Sequence, residues 1–201
     1  MPDGDSFQKP ENIAGIDFGS RLAGTTAICF LEKGKLNILQ SKKRQDADLF
    51  IIDFIDRYKP WKIFIDAPLS LPSRYRGEGI DYFYRAADRE VGAMSPMFIG
   101  GLTARAVRLT DILTDKGVDL FEVYPSHLAK TIFASGTDVY KKKNGLNDFL
   151  KTVEHEIPYN LKEIPVNWHQ VDSLLAWISG YRFLHKDHLE FGDPSEGLII
   201  V

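Results

Sequence analysis

The chain carries a single cysteine, Cys29, among its 201 residues. An intrachain disulfide framework is therefore excluded, and a zinc site built from several cysteines is disfavoured. Long apolar runs are missing as well. None approaches the roughly 18–20 residues that span a membrane. Met1–Asn12 is polar and acidic and lacks the apolar segment of a secretory leader. The expectation is a soluble, cytoplasmic protein. A basic surplus is also absent: 25 Lys and Arg face 28 Asp and Glu, for a formal net charge of −3. That excludes a polybasic, histone-like binder but leaves room for local basic patches. What is present is globular in character, with 44% hydrophobic and 26% charged residues. These proportions exclude global disorder, and the length suits one domain with a sizeable core.

Met1–Asn12 reads as an irregular tail and residues 13–201 as a single domain. Ile13–Asp17 is a short apolar strand ending on an acid, followed by a glycine-containing turn, Phe18–Gly24. Thr25–Leu31 and Lys35–Gln40 flank Glu32-Lys33-Gly34 and complete a three-stranded antiparallel meander. Asp46–Tyr58 has helical periodicity and stops before Pro60. Ile63–Asp66 is apolar on both faces, as in a covered parallel strand. Tyr82–Val91 has the pattern of a helical turn or two, Thr103–Lys116 that of a helix, and Leu120–Tyr124 that of a strand. A short helix over His127–Phe133, another around Leu146–Val153 and a long one over Gln170–Leu184 complete the set. The segment around 138–167 is a helical insertion, and Gly197–Val201 is a candidate last edge strand. The fold class is α/β: a mixed five-stranded sheet, antiparallel meander plus parallel strands, flanked by helices. In such sheets ligands bind outside the carboxyl ends of the parallel strands.

Three apolar strands carry an acid at or near that end: Asp17, Asp66 and Glu122. Carboxylates gathered at one sheet edge repel one another and lose hydration. A divalent cation removes both penalties, and hard oxygen ligands suit Mg²⁺ or Mn²⁺. A fourth acid, Asp172, falls near the start of the last helix, with Ala176 and Ser179 on its face. The helix dipole would favour an anion there in any case. A small-residue face also lets a helix approach a sheet closely, which would deliver Asp172 to the same place. Each of the four has a plainer alternative: turn-forming for Asp17 and Asp66, a solvated edge for Glu122, helix-start stabilisation for Asp172.

The stretches GIDFGS, FIDAPLSLP, YRAADREVGAMSP, FEVYPS, VDSLLAWISGYR and EGLIIV, in this order, resemble the motif blocks of an uncharacterised family of predicted nucleases with the RNase H-like (ribonuclease H / RuvC-type) fold. The resemblance implies a nuclease that hydrolyses phosphodiester bonds in DNA or RNA. It also implies two divalent ions, Mg²⁺ or Mn²⁺, held by Asp17, Asp66 and Asp172, with Glu122 as a further ligand or supporting acid. Well-known nucleases of this fold often carry Glu where this chain has Asp66, one methylene shorter.

Arg74–Arg108 contains six arginines against four acids, interleaved with Tyr75, Tyr82, Phe83 and Tyr84. Arginine grips phosphates and aromatic rings stack on bases. Intrahelical ion pairing explains the same pattern without a ligand. Arg85, Arg89 and Arg105, with Ser20 in the turn after Asp17, are the candidate substrate-binding residues. Lys141-Lys142-Lys143 reads as a solvated turn able to add phosphate contacts. His169, three residues before Asp172, reads first as a helix-start or surface residue and second as a proton shuttle.

Two other functions fit parts of the pattern. Asp17-Phe18-Gly19-Ser20 with Gly24-Thr25 resembles the first phosphate loop of the actin/sugar-kinase superfamily. Those proteins use two copies of the fold, which here only a homodimer could supply. The third reading is a non-catalytic nucleic-acid-binding module with a degenerate site.

Overall fold

The computed structural model describes residues 12–201. The tail reading of Met1–Asn12 lies outside them except for Asn12, whose side chain donates to the Lys59 carbonyl. Within the described residues, seven strands form one mixed sheet: β1 (Ile13–Asp17), β2 (Ala27–Glu32), β3 (Lys35–Gln40), β4 (Lys62–Asp66), β5 (Asp119–Val123), β6 (Glu190–Asp193) and β7 (Gly197–Ile200). Their order across the sheet is β3-β2-β1-β4-β5-β7-β6. The meander is as expected: β1, β2 and β3 pair antiparallel. Lys33 and Gly34, both at positive φ, form the tight hairpin turn between the last two. β4, β5 and β7 then extend the sheet in parallel from β1.

The expected five strands are thus too few. Glu190-Phe191-Gly192-Asp193 has one large apolar residue and a glycine, so it shows no strand alternation. It is held instead by its hairpin with β7. Gly197–Ile200 is correspondingly no edge strand, since β6 covers it.

Among the described residues six α-helices flank the sheet: α1 (Ala47–Tyr58), α2 (Ala86–Val91), α3 (Gly100–Thr114), α4 (Pro125–Thr131), α5 (Leu146–Glu154) and α6 (Trp168–Leu184). Asp46 caps α1 by accepting from the Asp48 and Leu49 amides, as such an acid should. Three helices begin earlier than expected: α4 at Pro125, a residue suited to the first helical position, and α3 and α6. Gly100 and Gly101 lie in the first turn of α3, where the amides need no intrahelical partner. α6 begins at Trp168 because the Asn167 side chain accepts from the Gln170 amide. The inserted segment also closes a sheet edge: the Leu36 amide donates to the Asn160 carbonyl, and the Lys162 amide to that of Leu36.

Side-chain alternation divides the core into two layers. Ala14, Ile16, Ile63 and Ile65 face α1 and α3, and Ile13 and Phe64 face α6. Gly15 belongs to the α6 face and sets the spacing there. A Cβ on Gly15 would lie 2.1 Å from the Trp177 amide nitrogen and 2.4 Å from the Ser173 carbonyl. Only hydrogen at this position lets α6 lie against β1. Gly180, against the Phe64 ring, does the same further along the helix. No helix among the described residues is long and apolar enough to cross a membrane.

Candidate metal centre

Two of the acids are brought together by strand register alone. β1 and β4 run parallel with Asp17 opposite Asp66, so both carboxylates leave the same end of the sheet side by side. The third comes from the helix that Gly15 admits. Asp172 is the fifth residue of α6, one turn inside the helix and only 3% exposed. The plainer reading of Asp172, an anion stabilised in the first turn, therefore does not describe it. Oxygens of Asp17, Asp66 and Asp172 lie within 4.8 Å of one another.

Neighbouring groups orient two of these carboxylates. The Tyr140 hydroxyl donates to Asp172 Oδ1 at 2.6 Å, and Lys141 Nζ lies 2.9 Å from Asp172 Oδ2. His169 Nδ1 is 2.8 Å from Asp17 Oδ2. Asp66 accepts no side-chain hydrogen bond from any described residue. Burial, then the charges of Asp17 and Asp172, push its carboxyl well above the usual range. Asp172 is raised too, chiefly by burial, against the opposing pull of Lys141. The hydrogen bond to Asp17 raises the His169 imidazole and favours its charged form. The site opens into a cavity of about 340 Å³ lined by Asp17, Asp66, Glu122, Tyr124 and Lys141 together with Met94, Ile99 and Leu102.

No protein-family model and no curated protein matches this chain. The geometry therefore speaks for itself. Three hard oxygen donors, close together and mutually repelling, can hold a metal ion. Because Asp66 and Asp172 hold their protons more tightly than ordinary carboxyls, protons compete with a cation here. Mn²⁺ affinity is expected to fall as pH drops through the range in which these raised carboxyls take up protons, with proton release on binding. Calorimetry in buffers of different ionisation enthalpy measures both; an affinity independent of pH over that range contradicts it.

The other expected site residues are placed differently. Glu122 lines the cavity, but both its carboxylate oxygens receive hydrogen bonds from the Arg85 guanidinium, at 2.6 and 2.7 Å. The Leu69 amide also donates to it, which ties β5 to the segment just after Asp66. Arg85 is fully buried, does not line the cavity, and is shared between Glu122 and Asp88. Its role in the structure is to brace, not to reach substrate. Arg105 pairs with Asp48, donates to the Gly19 carbonyl at 3.0 Å and lies over the Phe18 ring. It holds the turn that follows Asp17. Arg89 is exposed, paired with Asp81 and stacked on Tyr84. Ser20 is exposed in that same turn.

Tyr140 has no signal in the sequence as a site residue, and Lys141 has one only as part of a lysine run able to add phosphate contacts. Their segment has no periodicity, and a run of three lysines has the composition of a solvated turn. His169 was one helical turn from Asp172 by spacing, but nothing in the sequence set its direction toward Asp17.

Proposed function

We propose that the chain is a divalent-metal-dependent nuclease with an RNase H-like core, hydrolysing phosphodiester bonds in nucleic acid. The convergence of Asp17, Asp66 and Asp172 carries the reading. The strand order β3-β2-β1-β4-β5, antiparallel then parallel, supports the core assignment, with its acids on the first strand, the fourth strand and the last long helix. Mg²⁺ or Mn²⁺ fits an all-carboxylate donor set.

When bound, such an ion supplies Lewis-acid polarisation of a phosphoryl oxygen and lowers the pKa of water. The chain's own residues do the rest. His169 holds the Asp17 carboxylate in one orientation, and Tyr140 does so for Asp172. The Arg85–Glu122 pair fixes the segment after Asp66 through the Leu69 amide. Outside the cavity, Phe83, Phe98, Tyr75 and Tyr82 are exposed, with Arg74 over Tyr82 and Arg89 over Tyr84. This surface, continuous in sequence with Met94 and Ile99 of the cavity wall, can stack bases and meet phosphates.

The test is cleavage of single-stranded, duplex and branched DNA and RNA with Mg²⁺ or Mn²⁺. The wild-type chain should cut at least one form, and Asp17→Asn should abolish cutting while keeping the far-UV circular dichroism of the wild type. Absence of cutting across the panel with both ions contradicts the nuclease reading.

A further inference from the structure

We infer that this site takes one divalent ion, and that Lys141 stands in the place of a second. The inference rests on the metal-dependent reading above and goes beyond it by assigning the site's second cation to the chain itself.

Three observations carry it. Lys141 Nζ is in ion-pair contact with Asp172 Oδ2 at 2.9 Å and lines the same cavity as Asp17 and Asp66. The charges of Asp66 and Asp17 act on it together with that of Asp172. The ammonium is thus held at the carboxylate group through Asp172, with its side chain 46% exposed. Second, both Asp172 oxygens already have a partner, Tyr140 on one and Lys141 on the other. Each oxygen of this ligand therefore keeps only part of its acceptor capacity for a metal. Third, the lysine is delivered by a built turn. The Val139 and Tyr140 amides both donate to the Gly136 carbonyl, and the Lys142 amide to that of Val139. Lys141 itself sits at φ 58, in the left-handed region. A Cβ on Gly145 would lie 1.9 Å from the Val139 carbonyl oxygen, so the turn closes only with glycine there. Tyr140 anchors the turn by packing against Phe149 and Trp168.

Charge balance points the same way. Asp17, Asp66 and Asp172 contribute three negative charges, and Lys141 and one divalent ion contribute three positive ones. A second divalent ion would leave a surplus of two next to an ammonium in a partly desolvated cavity, and a charged His169 would enlarge that surplus.

The experiment counts bound Mn²⁺ at saturation, from the electron paramagnetic resonance signal of free Mn²⁺, for wild type, Lys141→Met and Lys141→Arg. Circular dichroism checks that each variant is folded. One ion in wild type, two in Lys141→Met and one in Lys141→Arg is the expected result. Two ions in wild type overturn the inference and leave the metal-dependent reading intact. One ion in both wild type and a folded Lys141→Met also overturns it, because Lys141 then excludes nothing. No Mn²⁺ bound by wild type overturns the metal-dependent reading and the inference with it. If Lys141→Met does not fold, the wild-type count decides: one supports the inference and two overturns it.

Discussion

Replacing Asp66 with asparagine is expected to raise the melting temperature of the metal-free protein and to remove its response to Mn²⁺. Asp66 receives no side-chain hydrogen bond from a described residue, and Asp17 and Asp172 both oppose its ionisation. The sign follows from linkage. A carboxyl whose folded pKa lies above its unfolded value binds its proton more tightly in the fold. Its ionisation therefore removes stability progressively as pH rises through that interval. Asparagine has no charge to bury, and its amide can donate to the neighbouring carboxylates. The gain should be about 1–2 kcal/mol, or roughly 2–8 °C in Tm for a chain of this size. The same change deletes a ligand oxygen, so Mn²⁺ affinity should fall by more than the roughly 10–100-fold typical of an outer hydrogen-bonding partner. Thermal denaturation with and without Mn²⁺ reads both effects. A variant less stable than wild type in the absence of metal contradicts the view that this carboxylate is kept at the expense of the fold.

Arg85→Ala should be among the most destabilising single substitutions in the chain. The guanidinium is fully buried and neutralises Asp88, 1% exposed, and Glu122, 6% exposed. It also donates to the Ser70 hydroxyl, which in turn donates to the Glu196 carbonyl of the β6–β7 turn. Removing it leaves two buried carboxylates unpaired. Breaking such a pair costs about 3–5 kcal/mol, or roughly 6–20 °C in Tm. Burial already raises the Glu122 carboxyl above its usual range despite the arginine. Without the arginine, proton uptake by Glu122 becomes the easiest relief, so the variant should lose less stability in mild acid than at neutral pH. In a Glu122→Gln, Asp88→Asn background the same substitution should cost far less, because the uncompensated charges are gone. Chemical denaturation of the four variants measures this coupling. Equal cost in both backgrounds contradicts a charge-based role for Arg85.

Local chemistry made the layout legible where it was strong. The apolar strands ending at Asp17 and Asp66 and the helical period of α1 have short-range causes, and the structure reproduces them. Asp172 was legible as a member of a small-residue helix face, although the space it needs comes from Gly15, on a strand more than 150 positions earlier in the chain. β6 was not legible, because four residues with a glycine form a strand only when β7 is beside them. The arginines were the least legible. Arg85, Arg89 and Arg105 lie in one arginine-rich stretch, yet one is buried between two acids, one is exposed and one braces a turn. Which partner an arginine finds depends on tertiary contacts such as Glu122 or Asp48, and composition carries no trace of them.

The account stands on three carboxylates forming one cation site at the end of β1 and β4. Anomalous diffraction from a crystal of the full chain grown with Mn²⁺ tests this most directly. The account predicts a single manganese peak bounded by Asp17, Asp66 and Asp172, with Mn–O distances near 2.1 Å, and with Lys141 still in place against Asp172. A crystal saturated with Mn²⁺ in which these carboxylates have no anomalous peak between them would contradict it.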